Sequence, residues 1–208
     1  MTHDPSPELP AGAFGRQDEG DDLAFYAPPR LVTHIDEAAV AALSARYRDL
    51  LPPTGHILDL MSSWVSHLPA DCSYAEVVCH GMNARELAAN PQASRWFVQD
   101  LNRDPVLPLD SAGFDAALCC VGVQYLQCPV QVFADVRRML RPDAPFIISF
   151  SNRWFPTKAV AIWRALDAAG HAALIQLYLA RAGFRASTVE TLADGRRSDP
   201  LTIVIGRA

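Results

Sequence analysis

No run of apolar residues in this chain approaches the roughly 20 that a membrane-spanning helix needs, so no membrane partner is expected. The opening MTHDPSPELP lacks a basic start followed by an apolar stretch. No secretory signal is therefore read there, and the expected compartment is the cytoplasm. The five cysteines, Cys72, Cys79, Cys119, Cys120 and Cys128, are odd in number and never in CxxC spacing. That pattern argues against a disulfide framework and a structural zinc site, and no metal is expected. A basic surplus is missing too: 18 Lys and Arg stand against 23 Asp and Glu. Nucleic-acid binders usually carry a basic field, so none is expected as a partner. Lysine itself is nearly absent, Lys158 being the only one.

What is present is ordinary for a globular protein: 208 residues, 50% hydrophobic and 20% charged. The length suits one sizeable domain. Residues 1–23 are rich in Pro, Gly, Asp and Glu and read as a flexible acidic leader, with the domain proper over 24–208. FYAPPRLVTHID then precedes DEAAVAALSARYRDLL, where Val40, Leu43, Tyr47 and Leu50 recur at helical steps.

From there short apolar strands alternate with helices. Strands are expected at 55–60, 74–79, 96–99, 114–120, 146–150, 184–192 and 201–205. Helices are expected in NARELAAN, PVQVFADVRRML, PTKAVAIWRALDAAG and HAALIQLYLARAG, the last two separated at Gly170. This alternation predicts an α/β protein with a parallel sheet covered on both faces. Ligands of such sheets bind beyond the carboxyl ends of the strands, so the residues to weigh follow each strand.

After the first strand comes Asp59-Leu60-Met61-Ser62-Ser63-Trp64-Val65-Ser66-His67, a turn with no glycine. After the second come Met82 and Asn83, where many nucleoside-binding sheets place an acid for the ribose. Asn83 has both a donor and an acceptor, and it also reads as a helix N-cap. Asp100, Leu101 and Asn102 follow the third strand, and they also read as an ordinary turn. Tyr125 follows the fourth, and Asn152, Arg153 and Trp154 follow the fifth.

Several stretches together resemble the class I S-adenosylmethionine-dependent methyltransferases: ILDLMSSW, LPLDSAGFDAALCC and VQYLQCPVQVFADVRRMLRPDAPFIISFSNR. The segments SSWVSHLP, GMNARELAANP, QDLN and FSNRWFPTKAVAIW resemble a methyltransferase-like group of bacteria and plants. The likeness implies a Rossmann-like three-layer sandwich with a seven-stranded, mostly parallel sheet and a C-terminal antiparallel strand pair. It implies S-adenosyl-L-methionine as cofactor and a small-molecule acceptor, in a monomer or homodimer. By the same likeness, Asp59 orders the first turn, the backbone of Met61, Ser62 and Ser63 lines the methionine part, and Met82 and Asn83 take the ribose and adenine edge. Asp100 and Leu101 read adenine, with Asn102 beside them in the cofactor site, and Cys119 and Cys120 present carbonyls beside the amino acid moiety. Three places depart from the family pattern, one of them Pro142-Asp143-Ala144 in place of a Pro-Gly-Gly turn. Met61-Ser62-Ser63 replaces its glycine-rich turn, and Gly81 stands where it has an acid.

The segment before the nucleotide fold is expected to act as a lid in which Arg30 binds the cofactor carboxylate, supported by Tyr26 and His34. Arg153, Trp154 and Lys158 are candidates for holding the acceptor, and His67, His34 and Tyr125 for taking its proton. Three other readings compete: a methyltransferase-like binding or scaffold protein without catalysis, a nicotinamide-dependent oxidoreductase, and a thiol-dependent enzyme acting on a metalloid. The absence of GxGxxG speaks against the second and the cysteine spacing against the third.

Overall fold

The computed structural model describes residues 9–208. Its elements run, in chain order, α1 (Asp22–Tyr26), α2 (Glu37–Leu50), β1 (His56–Leu60), β2 (Glu76–Gly81), α3 (Ala84–Ala88), β3 (Arg95–Val98), β4 (Ala116–Cys120), α4 (Pro129–Met139), β5 (Pro145–Phe150), α5 (Ala161–Ala165), α6 (Ala168–Arg181), β6 (Ala186–Ala193) and β7 (Leu201–Arg207). The strands form one seven-stranded sheet in the order β3-β2-β1-β4-β5-β7-β6. The first five in that order are parallel, and β7 lies antiparallel between β5 and β6. The expected mostly parallel sheet with a C-terminal antiparallel pair is therefore what the chain forms.

Alternation along each strand feeds two cores. Leu58, Leu60, Ala117, Phe146 and Ile148 face α4 and α6, through Phe133, Val136, Ile175 and Tyr178. Ile57, Val77, Leu118, Ile147 and Ile203 face α2 and α3, through Leu43, Tyr47 and Leu87. A sheet side chain pointing to one face sends its neighbour to the other, so each strand serves both layers. Order reverses between β1 and β4: the chain leaves β1 toward β2 and β3, then returns to pair β4 on its other side. That is the crevice where such sheets bind ligands.

Three expectations are corrected. Residues 9–23, expected within a flexible leader, are folded onto the body, and α1 runs across the boundary expected at residue 23. The physical reason is ion pairing: Lys158 Nζ lies 3.1 Å from Asp18 and 2.9 Å from Asp22, and Arg16 lies 2.6 Å from Asp22. Backbone bonds from Ala161 to Gly15 and from Ile162 to Ala13 add to this. Residues 1–8 of that leader lie outside the described residues. Second, the break expected at Gly170 falls at Asp167, whose carboxylate caps α6 by accepting from the Gly170 N–H at 2.8 Å. Gly170 thus sits in the first turn of a helix instead of ending one. Third, β2 continues through His80 and Gly81, placing both in the sheet.

Candidate active site

Beyond the carboxyl ends of β1, β2 and β4 lies a cavity of about 710 Å³. Its floor is the segment after β1, which has no helix before β2. Met61 adopts φ of 55°, a left-handed conformation that favours glycine. The room for this turn comes from glycines at the end of β2 and just beyond β4. A Cβ on Gly81 would sit 2.4 Å from the Ser62 carbonyl oxygen, and one on Gly122 2.9 Å from the Met61 Cβ. The glycines are thus displaced in sequence but adjacent in space. His67 (φ 54°) and Val121 (φ 44°) also line the cavity in left-handed conformations. Such backbone strain gathers where surrounding structure over-determines it, often at functional sites.

His80 pins this floor. Its Nδ1 accepts from the Met61 N–H at 3.2 Å and its Nε2 meets the Gln99 carbonyl at 2.9 Å, while its own carbonyl accepts from the Ser62 N–H at 2.6 Å. Burial pulls the imidazole down to about 4, so it stays neutral and able to accept and donate at once. Asp59, at the centre of the floor, accepts from the Ser62 hydroxyl at 2.5 Å. Burial pushes its carboxyl up to about 6 against the opposing pull of the Ser62 and Ser66 hydroxyls.

The roof is the segment before α2. Glu86 of α3 ties it down, accepting from the Arg30 N–H at 2.6 Å and from the Ser63 hydroxyl at 2.6 Å. The Arg30 guanidinium donates to the Phe25 carbonyl at 3.0 Å and lies 4.9 Å from the Phe25 ring and 5.4 Å from the Phe155 ring. No carboxylate pairs with it among the described residues. Below, Asp22 is shared by Arg16, Lys158 and Asn102. Burial pushes the Asp22 carboxyl up, but these three partners outweigh it and hold it below its ordinary value.

Residues 53–148 match the family model of a methyltransferase domain. The same fold occurs in an S-adenosylmethionine-dependent methyltransferase from Mesorhizobium loti, 18% identical, covering 81% of this chain and 98% of that one, with a TM-score of 0.55. The chain thus shares the fold of the S-adenosylmethionine-dependent methyltransferases, and the matched domain covers 53–148 of it. A Haemonchus contortus phosphoethanolamine N-methyltransferase 2, solved in complex with S-adenosyl-L-methionine, is 12% identical with a TM-score of 0.55. That alignment covers 80% of this chain and 52% of the other. The [4+2]-cyclase SpnF is 12% identical over 79% of this chain and 80% of that one, with a TM-score of 0.58. Among curated protein sequences none is significantly similar.

The methyltransferase fold brings most of the expected site residues to one place. Tyr26, Arg30, His34, Asp59, Met61, Ser62, Ser63, Met82, Asn83, Asp100, Leu101, Asn102, Cys120, His67, Tyr125, Arg153 and Trp154 all line the cavity. The Cys119 side chain is not among them: it faces the core, fully buried, which leaves the role expected of its carbonyl untouched. Lys158 is not among them either. It is 1% exposed and its ammonium is consumed by Asp18, Asp22 and the Gly20 carbonyl, so it holds the roof and is not placed to hold an acceptor.

Three lining residues are already occupied. Asn83 donates to the Tyr26 and Ala27 carbonyls at 2.8 and 3.0 Å, while its Oδ1 caps α3 through the N–H groups of Arg85 and Glu86. Its polar atoms are spent joining roof to helix, which leaves little for a ribose. Asn102 is similarly spent between Asp22, the Tyr125 carbonyl and the Gln127 N–H. The Tyr125 hydroxyl accepts from the Phe155 N–H at 2.9 Å, and burial pushes the phenol above its ordinary value, so it is no base at neutral pH. Glu86, Gly122 and His80 were not among the expected site residues, and Gly81 was noted only for the acid it replaces. Glu86 had a legible cue, since it stands three residues after an Asn N-cap, the capping-box spacing. Its carboxylate, however, reaches across to Ser63 and Arg30.

Proposed function

We propose that this chain binds S-adenosyl-L-methionine and transfers its methyl group to a small-molecule acceptor. The observation that carries this reading is Arg30: a guanidinium with no carboxylate partner among the described residues, held by aromatic rings over the cavity at the switch point of the sheet. Such a group suits bidentate recognition of a carboxylate. The lining adds Asp22, Asp36, Asp59, Glu86, Asp100 and Asp199 against Arg30 and Arg153 alone, an excess of acid that suits a cationic sulfonium. The cavity volume of about 710 Å³ lies within the range of small-molecule sites.

When bound, the cofactor supplies a methyl group already activated for displacement. The chain's work is then to bind, orient and exclude water. Arg30 would hold the carboxylate end, and the backbone of Met61, Ser62 and Ser63 with Asp59 the methionine chain. Asp100 and Leu101 would meet the adenine. With Asn83 spent, Glu86 is the carboxylate left to meet the ribose hydroxyls, since each of its oxygens keeps a second lone pair. Aligning acceptor and methyl group is worth on the order of 7–11 kcal/mol in favourable cases.

A second reading, binding without catalysis, is favoured by the irregular segment after β1. No helix N-terminus stands behind the floor, where related nucleotide sites direct N–H groups at their ligand. Calorimetry with S-adenosyl-L-methionine and S-adenosylhomocysteine decides about the cofactor. Micromolar binding that weakens in both Arg30→Ala and Asp100→Ala supports the site, and no binding to the folded protein sinks it. Binding without turnover on any acceptor would favour the second reading.

A further inference from the structure

One end of the cavity is left over once the cofactor groups are assigned. It is built by residues 32–36, 65–67 and 152–155. These segments touch: the His34 ring lies 5.8 Å from the Phe155 ring, and the indole N–H of the adjoining Trp64 donates to the Val32 carbonyl at 3.0 Å. Its walls are apolar through Val32, Val65 and Trp154, and Val32 is 56% exposed beside the opening.

The charged groups here are tied to one another and to the backbone. Arg153 Nε donates to Asp199 at 2.9 Å, Asp199 accepts from the Asp36 N–H at 3.1 Å, and Asp36 accepts from the Asp199 N–H at 2.6 Å. The other Asp36 oxygen caps α2 through the Ala39 N–H. A ligand carboxylate would have to compete with Asp199 for Arg153, and a ligand ammonium with Arg153 and backbone N–H groups for Asp199 and Asp36. The polar groups that remain are the imidazoles of His34 and His67. Burial pulls both below the ordinary value, His67 to about 4, so both are neutral near pH 7. His67 is 8% exposed, and neither of its ring nitrogens has a hydrogen-bond partner among the described residues. A buried, unpartnered imidazole on a cavity wall is a place for a ligand's polar hydrogen or lone pair.

We infer that this end takes an uncharged acceptor with an apolar body and a hydroxyl or thiol as nucleophile, the body against Val32, Val65 and Trp154 and the O–H or S–H against His67. The inference rests on the methyl-transfer reading and names its acceptor class. The acceptor's oxygen or sulfur forms the new bond to the methyl carbon as the old carbon–sulfur bond breaks, its electron pair staying on the cofactor's sulfur. The acceptor's proton passes to a free nitrogen of His67 and then to water. A weak base suffices, because the hydroxyl becomes strongly acidic as its oxygen gains the methyl group.

The test is calorimetry with four probes of one shape: 4-propylphenol, 4-propylanisole, 4-propylbenzoate and 4-propylbenzylamine, with and without saturating S-adenosylhomocysteine. The phenol should bind at least about tenfold more tightly than the benzoate, the amine or the anisole. Trp154→Ala should weaken the phenol with S-adenosylhomocysteine affinity kept, and Trp154→Phe should restore it. His67→Asn, which tolerates the left-handed backbone, should erase the preference for phenol over anisole. Equal or tighter binding of either charged probe overturns the inference, as does a phenol preference that survives His67→Asn. Failure to bind S-adenosylhomocysteine counts against the cofactor reading alone, because the probe preferences are also read without it.

Discussion

The floor and the roof of the cavity are held by different physics. The floor rests on sheet geometry: β1, β2 and β4 are in register, His80 bridges three strand ends, and two glycines make room for a turn that has none. The roof rests on charge. Lys158 and Arg16 meet Asp22 where all three side chains are nearly inaccessible, at 1%, 5% and 6% exposure. A floor built by packing fails when atoms are added. A roof built on buried ions fails when one partner is removed.

The roof should show the largest effect. Lys158→Met leaves Asp22 and Asp18 facing an apolar side chain, and breaking a buried pair costs about 3–5 kcal/mol. Denaturant unfolding should show that loss, and adding Asp22→Asn should return part of it, since the two positions are coupled. Full additivity of the two substitutions would mean the ion cluster does not hold the roof.

Next comes the floor. Gly81→Ala forces a Cβ against the Ser62 carbonyl and should cost about 1–3 kcal/mol, with cofactor affinity falling alongside. Gly81→Asp, which supplies the acid the family pattern has there, should do no better. If it bound the cofactor more tightly, the floor would be looser than this geometry. Arg30 separates affinity from stability. Arg30→Lys keeps the charge but loses the planar fork, and should weaken the cofactor by about tenfold with an unfolding midpoint close to wild type.

The smallest effect sharpens the comparison within the floor itself. His80 has its folded value pulled from 6.5 to about 4, so its contribution is complete above the unfolded value and lost as pH falls through about 4. Asp59 has its folded value raised from 3.8 to about 6, so its contribution is complete below the unfolded value and lost as pH rises through about 6. Between those limits the two slopes oppose each other. Asp59→Asn should remove one of them, and stability measured from pH 7 to 4 should then fall more steeply with acid than in the unaltered protein.

The sheet was legible because its strands are short apolar runs separated by helices with caps and breakers, and such patterns depend on near neighbours in the chain. The lining of the cavity was legible for the same reason, since loops after strands must lie at one edge. The compensation by Gly81 and Gly122 was not. Both glycines were visible, but only the register of β2 and β4 against β1 brings them under Met61. The N-cap role of Asn83 was legible, but the further partners of Asn83 and Asn102 were not, because they lie far away in sequence: Tyr26 and Ala27 for one, Asp22 for the other.

By itself, then, the sequence determined the layered architecture, the sheet and the edge where ligands meet it, because periodicity and turn chemistry are local. Only the tertiary structure decided that residues 9–23 belong to the folded body, that the one lysine holds a roof and lines no cavity, and which polar groups remain free to meet a ligand. Those outcomes turn on which charges and hydrogen-bonding atoms meet across distant segments, where burial makes each pairing strong and each omission costly.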